Sequence, residues 1–246
     1  MRAILMYHSI DPSGSPISVE RREFERHVRW LAGGRVRVLD VPELLRDQRD
    51  GDAVALTFDD ALVSFGEIAW PILREHALPV TLFVPTDHVG GSNGWNQGRL
   101  PIPWLPLMGW AELGRVVEQG VRLGAHTRTH PSLITLPGAA IKDEIVRGAE
   151  RLRRETGRRA AAFAYPFGDC DERVLAVVRP HFDWACTTEL RSLRGGEDPH
   201  LLPRVDAFYL RQPGRLERLG TRRLAAELSA RRVVRRLRAA VPWSAS

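Results

Sequence analysis

Residues 53–60 read Ala53-Val54-Ala55-Leu56-Thr57-Phe58-Asp59-Asp60, an apolar run that ends on two adjacent carboxylates. So short a run, stopped by charge, is the pattern of a strand buried on both faces in a parallel sheet. Runs of the same kind recur at 3–7, 80–84, 121–125, 161–165 and 184–187. Between them lie segments of helical period at 20–32, 64–75, 109–118, 140–156 and 172–178, punctuated by Gly33-Gly34, Gly90-Gly91, Gly157 and Gly195-Gly196. Strand alternating with helix implies parallel strands joined by crossover helices, an α/β fold. A chain of 246 residues suits one α/β barrel.

With 43% hydrophobic and 27% charged residues, the chain can bury a core and lies far from the disordered class. The start, Met1-Arg2-Ala3-Ile4-Leu5-Met6-Tyr7-His8, is too short in apolar residues for a secretory segment, and no later stretch has the roughly 18 to 20 apolar residues of a membrane span. A cytoplasmic location is the expectation. Cys170 and Cys186 lack metal-ligand spacing and read as reduced thiols packed as small hydrophobes.

The formal charge of +6 is uneven: residues 214–240 hold nine arginines and two glutamates, a net +7, and the rest of the chain carries −1. The division is therefore a body at 1–213 and an arginine-rich helical extension at 214–246. No recognition fold or stacking motif accompanies the charge, so no nucleic-acid partner is expected. In the extension, Leu216, Leu219, Leu224, Leu228, Val233, Val234 and Leu237 recur at roughly helical intervals. Its first half reads as packing on the body; its second half, 229–243, reads as able to reach an anionic membrane surface or an acidic partner. The turn-rich segment 90–107 carries Trp95 and Trp104, which either stack on a sugar ring or anchor a long loop.

Three signals at strand ends carry chemistry. Asp59-Asp60 is a carboxylate pair, able to divide two jobs only if the chain leaves the strand there. His126-Thr127-Arg128-Thr129-His130 puts two imidazoles four apart, within reach of one metal ion. Tyr165-Pro166-Phe167-Gly168 forces a fixed turn that can aim backbone N–H groups at a ligand. A carboxylate and two histidines give three ligands and leave a position for water, the pattern of a catalytic zinc site. The second carboxylate is then a candidate general base. All three signals fall at C-terminal strand ends, where parallel α/β folds place active sites.

These residues resemble the polysaccharide deacetylases with NodB homology, carbohydrate esterase family four. Thr57-Phe58-Asp59-Asp60 is similar to the first motif, His126 to His130 to the second, and Ala164-Tyr165-Pro166-Phe167-Gly168 to a variant of the third. Ile4-Leu5-Met6-Tyr7-His8, Met108-Gly109-Trp110-Ala111-Glu112-Leu113 and Leu202-Pro203-Arg204-Val205 resemble the branch that contains poly-N-acetylglucosamine deacetylases. The likeness runs over about residues 3–208. It implies an irregular (β/α)7-type barrel of about seven strands, with one divalent ion, zinc or alternatively cobalt or nickel, held by Asp60, His126 and His130. It also implies Asp59 as general base and the Phe167 N–H as an oxyanion donor.

Two positions depart from the pattern. The arginine that orients the base in the family is here Ala164, and Arg204 is the candidate replacement because a guanidinium is the natural bidentate partner of a carboxylate. The family's late histidine acid has no counterpart, and His8, on the same rim, is the candidate substitute. Asp183-Trp184 matches a fourth motif only loosely and reads as core packing. The implied reaction is metal-dependent removal of an N-acetyl group from an amino sugar or glycan intermediate. The competing readings are an amidohydrolase on a non-sugar amide and a glycan-binding member without turnover.

Overall fold

The structure, a computed structural model, describes residues 1–96 and 102–240, and of 96 and 234–240 the backbone alone. The parts of the 90–107 and 229–243 readings that fall on 97–101 and 241–243, and the side chains of Val234 and Leu237, lie outside the described residues. The chain runs β1 (Arg2–Tyr7), β2 (Ser9–Ile10), β3 (Ser18–Val19), α1 (Arg21–Ala32), β4 (Arg37–Val38), α2 (Val41–Arg46), β5 (Ala53–Phe58), α3 (Trp70–Glu75) and β6 (Val80–Val84). It continues with α4 (Trp110–Glu118), β7 (Arg122–Ala125), α5 (Gly138–Lys142), α6 (Gly148–Thr156), β8 (Ala162–Ala164), α7 (Glu172–Val178), β9 (Trp184–Cys186), β10 (Val205–Asp206) and α8 (Arg222–Ala240).

Eight strands form one sheet in the order β10-β1-β5-β6-β7-β8-β9, with β4 also on β5, and every pairing is parallel. The segment leading into β10 spans the gap between the outer strands: Leu202 bridges Cys186 of β9, and Val205 pairs with Leu5 of β1. That seam makes the irregular barrel. Register then fixes the rim, because Tyr7 pairs with Phe58, Phe58 with Leu82, Val84 with Ala125 and Ala164 with Cys186. The residues that follow these pairs, His8, Asp59 and His126 among them, therefore share one end.

Side chains alternate along each strand, and the two faces bury separately. Ile4, Ala53, Ala55, Phe83, Ala162, Ala164, Trp184, Cys186 and Leu202 pack as one cluster, with Val41 and Leu44 of α2. This is the barrel interior, filled by Phe83 edge-on to Trp184 (5.8 Å, 82°) among small residues. A Cβ on Gly124 would stand 2.4 Å from the Phe83 ring, so only glycine leaves room there. The opposite faces, with Leu5, Tyr7, Val54, Leu56 and Phe58, join the outer layer against α1 and α3. Trp184 is thus core packing, and Asp183 pairs with Arg159 at the surface.

Beside the six strands read as apolar runs, the sheet includes β4 and β10, which are only two residues long and carry no readable run. The helical period at 64–75 becomes a π-helical turn (Phe65–Ala69) continued by α3, and α5 and α6 are joined through a second such turn (Asp143–Arg147). Leu216, Leu219, Leu224 and Leu228 bury in the outer core, which seats the start of α8 on the barrel, whereas Val233 is exposed. The charge of this segment is partly countered, by Arg215 with Glu227 and by Arg232 with Glu189. Both cysteines are unpaired, and among the described residues no helix is long and apolar enough to cross a membrane.

Candidate metal centre and catalytic rim

Strand β5 ends at Phe58, and Asp60 (φ 72°) and Ala61 (φ 51°) turn the chain sharply out of the sheet. This left-handed backbone costs side-chain-bearing residues about 1 to 3 kcal/mol each and persists only where the surroundings hold it. Its result is that the two carboxylates diverge. Asp59 keeps the inward direction of Ala53, Ala55 and Thr57, while Asp60 faces the histidine loop.

That loop follows β7. Thr127 (φ 65°) and His130 (φ 60°) are again left-handed, and the Thr127 Oγ1 accepts a hydrogen bond from the His130 N–H at 3.0 Å. Glu144, from the π-helical turn, accepts from the N–H groups of Arg128 and Thr129 (both 2.9 Å) and from the Thr129 hydroxyl (2.8 Å). Gly148 lets the helix approach closely, since a Cβ there would meet the Thr127 carbonyl at 3.0 Å.

His126 donates from Nδ1 to the Ala164 carbonyl at 2.7 Å, which leaves its Nε2 with a lone pair. The Nε2 atoms of His126 and His130 converge to 3.1 Å, and Asp60 Oδ1 lies 3.6 and 3.5 Å from them. All three residues are buried, and their ligand atoms lie within 4.8 Å of one another. Asp60 Oδ1 and His130 Nδ1 are buried with no hydrogen-bond partner among the described residues. A buried carboxylate oxygen without a donor, facing two imidazole nitrogens, is the donor set a divalent ion satisfies. The residues present therefore fit a metal.

Arg204 reaches the rim from the seam before β10. It is fully buried, with Nη1 on Asp59 Oδ1 at 2.6 Å, Nη2 on Asp59 Oδ2 at 2.8 Å and Nε on the Thr187 carbonyl at 2.9 Å. His8 Nε2 lies 3.8 Å from Asp59 Oδ2. Phe167, in the turn Pro166–Gly168, has φ 59°, and its ring meets His130 edge-on at 4.9 Å. Gly168 (φ 82°) cannot carry a side chain, because a Cβ would come within 2.7 Å of the Thr188 nitrogen. The structure thus brings Asp59, Asp60, His126, His130, Arg204, His8 and Phe167 together on one rim.

Electrostatics separate the two carboxylates. Burial alone would raise Asp59, but Arg204, helped by His126 and His8, holds its carboxyl below the usual range. Burial raises Asp60, with Asp59 adding to it. Burial, then His126, pushes His130 well below the ordinary imidazole value, toward the neutral form that ligates metals.

One residue of this site has no local signature. Glu144 sits in an ordinary helical pattern, and only the tertiary approach of its turn to residues 128–129 reveals it. Trp95 stacks on His130 (4.5 Å, 25°) and meets His88 edge-on (4.6 Å). Of the two readings for this loop, Trp95 is the anchor; Trp104 is 65% exposed.

Known proteins resemble this chain in sequence and in fold. Residues 46–181, more than half of the chain, match the family described as polysaccharide deacetylase. The chain is 23% identical over 209 residues to a poly-beta-1,6-N-acetyl-D-glucosamine N-deacetylase of Staphylococcus epidermidis, covering 78% of this chain and 70% of that protein. Among solved structures it is similar to IcaB from Ammonifex degensii, with a TM-score of 0.75, 24% identity, and 91% of this chain and 97% of that one covered. It is also similar to the Streptococcus pyogenes deacetylase PplD in complex with acetate, with a TM-score of 0.70, 21% identity, and 83% and 91% covered.

Proposed function

The chain belongs to the polysaccharide deacetylase family, and from that premise we propose that it hydrolyses the N-acetyl group of an amino-sugar unit in a glycan, with one divalent ion at Asp60, His126 and His130. The observation that carries this reading is the pairing of a buried, arginine-clamped carboxylate, Asp59, with the adjacent Asp60, His126 and His130 cluster. Zinc suits two imidazoles and a carboxylate; cobalt and nickel accept the same set. A bound ion of this kind supplies Lewis acidity toward water and toward a carbonyl oxygen.

The chain's own residues do the rest. Asp59, ionised and held by Arg204, takes the proton of the water that attacks the amide carbon. Arg204 fixes the carboxylate's orientation without itself moving a proton, since a guanidinium stays charged. The Phe167 N–H, on a turn that Gly168 and Thr188 lock, offers a hydrogen bond to the oxyanion as it forms; such donors are worth about 3 to 4 kcal/mol in other hydrolases. His8, beside Asp59, delivers a proton to the departing amine.

The test is acetate release from a panel of N-acetylated amino sugars and their oligomers, set beside simple amides. Asp59→Asn should keep its metal and lose about 100-fold to 10,000-fold in turnover. Release from simple amides alone would reassign the chain to non-sugar amides, and an Asp59→Asn variant within a few-fold of wild type would place the base elsewhere.

A further inference from the structure

Strand β6 ends at Val84, and the residues that leave it dock on the histidine loop one after another. The Thr86 N–H donates to the Thr127 carbonyl (3.2 Å), the Asp87 N–H to the Arg128 carbonyl (2.9 Å), and His88 Nε2 to the Thr129 carbonyl (3.2 Å). On the other side of the loop, Glu144 takes the N–H groups of Arg128 and Thr129, and the Thr127 hydroxyl takes that of His130. The carbonyls of 127–129 and the N–H groups of 128–130 are thus all partnered. A stretch with two left-handed residues keeps its shape only when its surroundings hold it in this way.

Asp87 takes part twice, because its side chain also grips the loop. Its Oδ2 accepts from Nε and Nη2 of Arg128 at 3.0 and 2.9 Å, and its Oδ1 from Nη1 of Arg151, on α6, at 2.6 Å. Arg128 reaches on to Asp143, in the π-helical turn that carries Glu144, and Arg151 lies over the Trp110 ring at 5.6 Å. One carboxylate therefore ties the exit of β6, the histidine loop and α6 into a single frame. Burial would raise Asp87, but the hydrogen bonds from Arg151 and Arg128 outweigh it and hold the carboxyl below its usual range, in the charged form. Part-exposed ion pairs ordinarily add little to folding stability. What sets this one apart is its partner, since Arg128 stands midway between His126 and His130.

We propose that Asp87 is a positioning residue of the metal centre, acting through Arg128 to keep the Nε2 atoms of His126 and His130 converged. This rests on the metal reading above. A loop already fixed in its ligating shape has little freedom left to lose when it takes an ion, so the frame shows itself as metal affinity more than as folding stability. The Arg128 guanidinium is engaged by Asp87 and Asp143, and its influence on the two imidazoles passes through that network. Asp87 and Arg128 therefore act as one unit.

The test is the zinc affinity of the full-length chain, measured by competition with a chelator. Asp87→Asn should weaken it about 10- to 100-fold, while urea unfolding in excess chelator stays close to wild type. The cobalt-loaded variant should also show altered visible absorption, which a loss of stability alone does not produce. Arg128→Gln should do the same, and the double variant should be no weaker than the weaker single. Asp183→Asn, which breaks a similar ion pair with Arg159 before β9, at the opposite end of the barrel, should leave zinc affinity unchanged. Wild-type affinity and absorption in Asp87→Asn would overturn the proposal and leave the metal reading standing. So would an equal loss in Asp183→Asn, or a double variant in which the two losses multiply. If Asp87→Asn does not fold, Arg128→Gln decides by the same measurements, and wild-type affinity there overturns the proposal. A wild-type chain that holds no zinc, cobalt or nickel would sink the metal reading itself, and the proposal with it.

Discussion

The guanidinium of Arg204 and the carboxylate of Asp59 meet end on, Nη1 to Oδ1 at 2.6 Å and Nη2 to Oδ2 at 2.8 Å, across 145 residues of sequence. Both are buried, so neither charge has water to fall back on. Removing one partner of such a pair strands the other, at a typical cost of about 3 to 5 kcal/mol. Arg204→Met should lose stability on that scale in urea unfolding. It should also shift the acid limb of the rate profile. Arg204 is the main influence holding Asp59 down, so its loss raises the carboxyl, and the ionised base then survives only at higher pH. An acid limb unmoved in Arg204→Met, with stability within about 1 kcal/mol of wild type, would contradict this account of the pair.

The metal assignment makes a separate claim. His126→Ala and His130→Ala should each lose the bound ion in elemental analysis while remaining folded by circular dichroism, because each removes one of the three candidate ligands found among the described residues. Full metal content in both variants would show that the ion, if any, binds elsewhere.

Glu144 should matter to the ion without touching it. Its carboxylate accepts three hydrogen bonds from Arg128 and Thr129 and so holds a loop with two left-handed residues in its ligating shape. Partners that orient ligands are typically worth about 10- to 100-fold in metal affinity. Glu144→Gln, which keeps one acceptor oxygen and turns the other into a donor, should weaken zinc retention against a chelator by that order. Unchanged retention would leave Glu144 as an ordinary helix residue.

The thiols should be quiet. Burial pushes Cys170 up to about 11 and Cys186 up to about 12. The thiolate is the reactive form, and at pH 8 a thiol with a pKa of about 11 is ionised to only about one part in a thousand. Native protein should react slowly with Ellman's reagent and show both thiols once denatured. Rapid stoichiometric labelling of the folded chain would mean that at least one cysteine sits in a different environment.

The sequence by itself determined the elements that local pattern controls. The runs at 53–58 and 80–84 and the helix at 172–178 appear with those bounds in the structure, because each is an apolar pattern cut off by charge, glycine or proline, all local features. It also placed Asp59, Asp60, His126, His130 and Phe167 at strand ends, since parallel strands put their C-terminal ends on one rim. Tertiary structure decided what depends on closure. Strands β4 and β10 are two residues each and exist only because neighbours pair with them. Arg204 became the partner of Asp59 only when the seam from Leu202 to Val205 closed the barrel, which let a distant residue occupy the direction that Ala164 cannot serve. Trp95 and Trp104 look alike in the chain; the packing of one on His130 and the mounting of the other by Asn93 are long-range facts. A side chain's type limits what it can do, but its partner is chosen by the register and closure of the sheet, which no local pattern encodes.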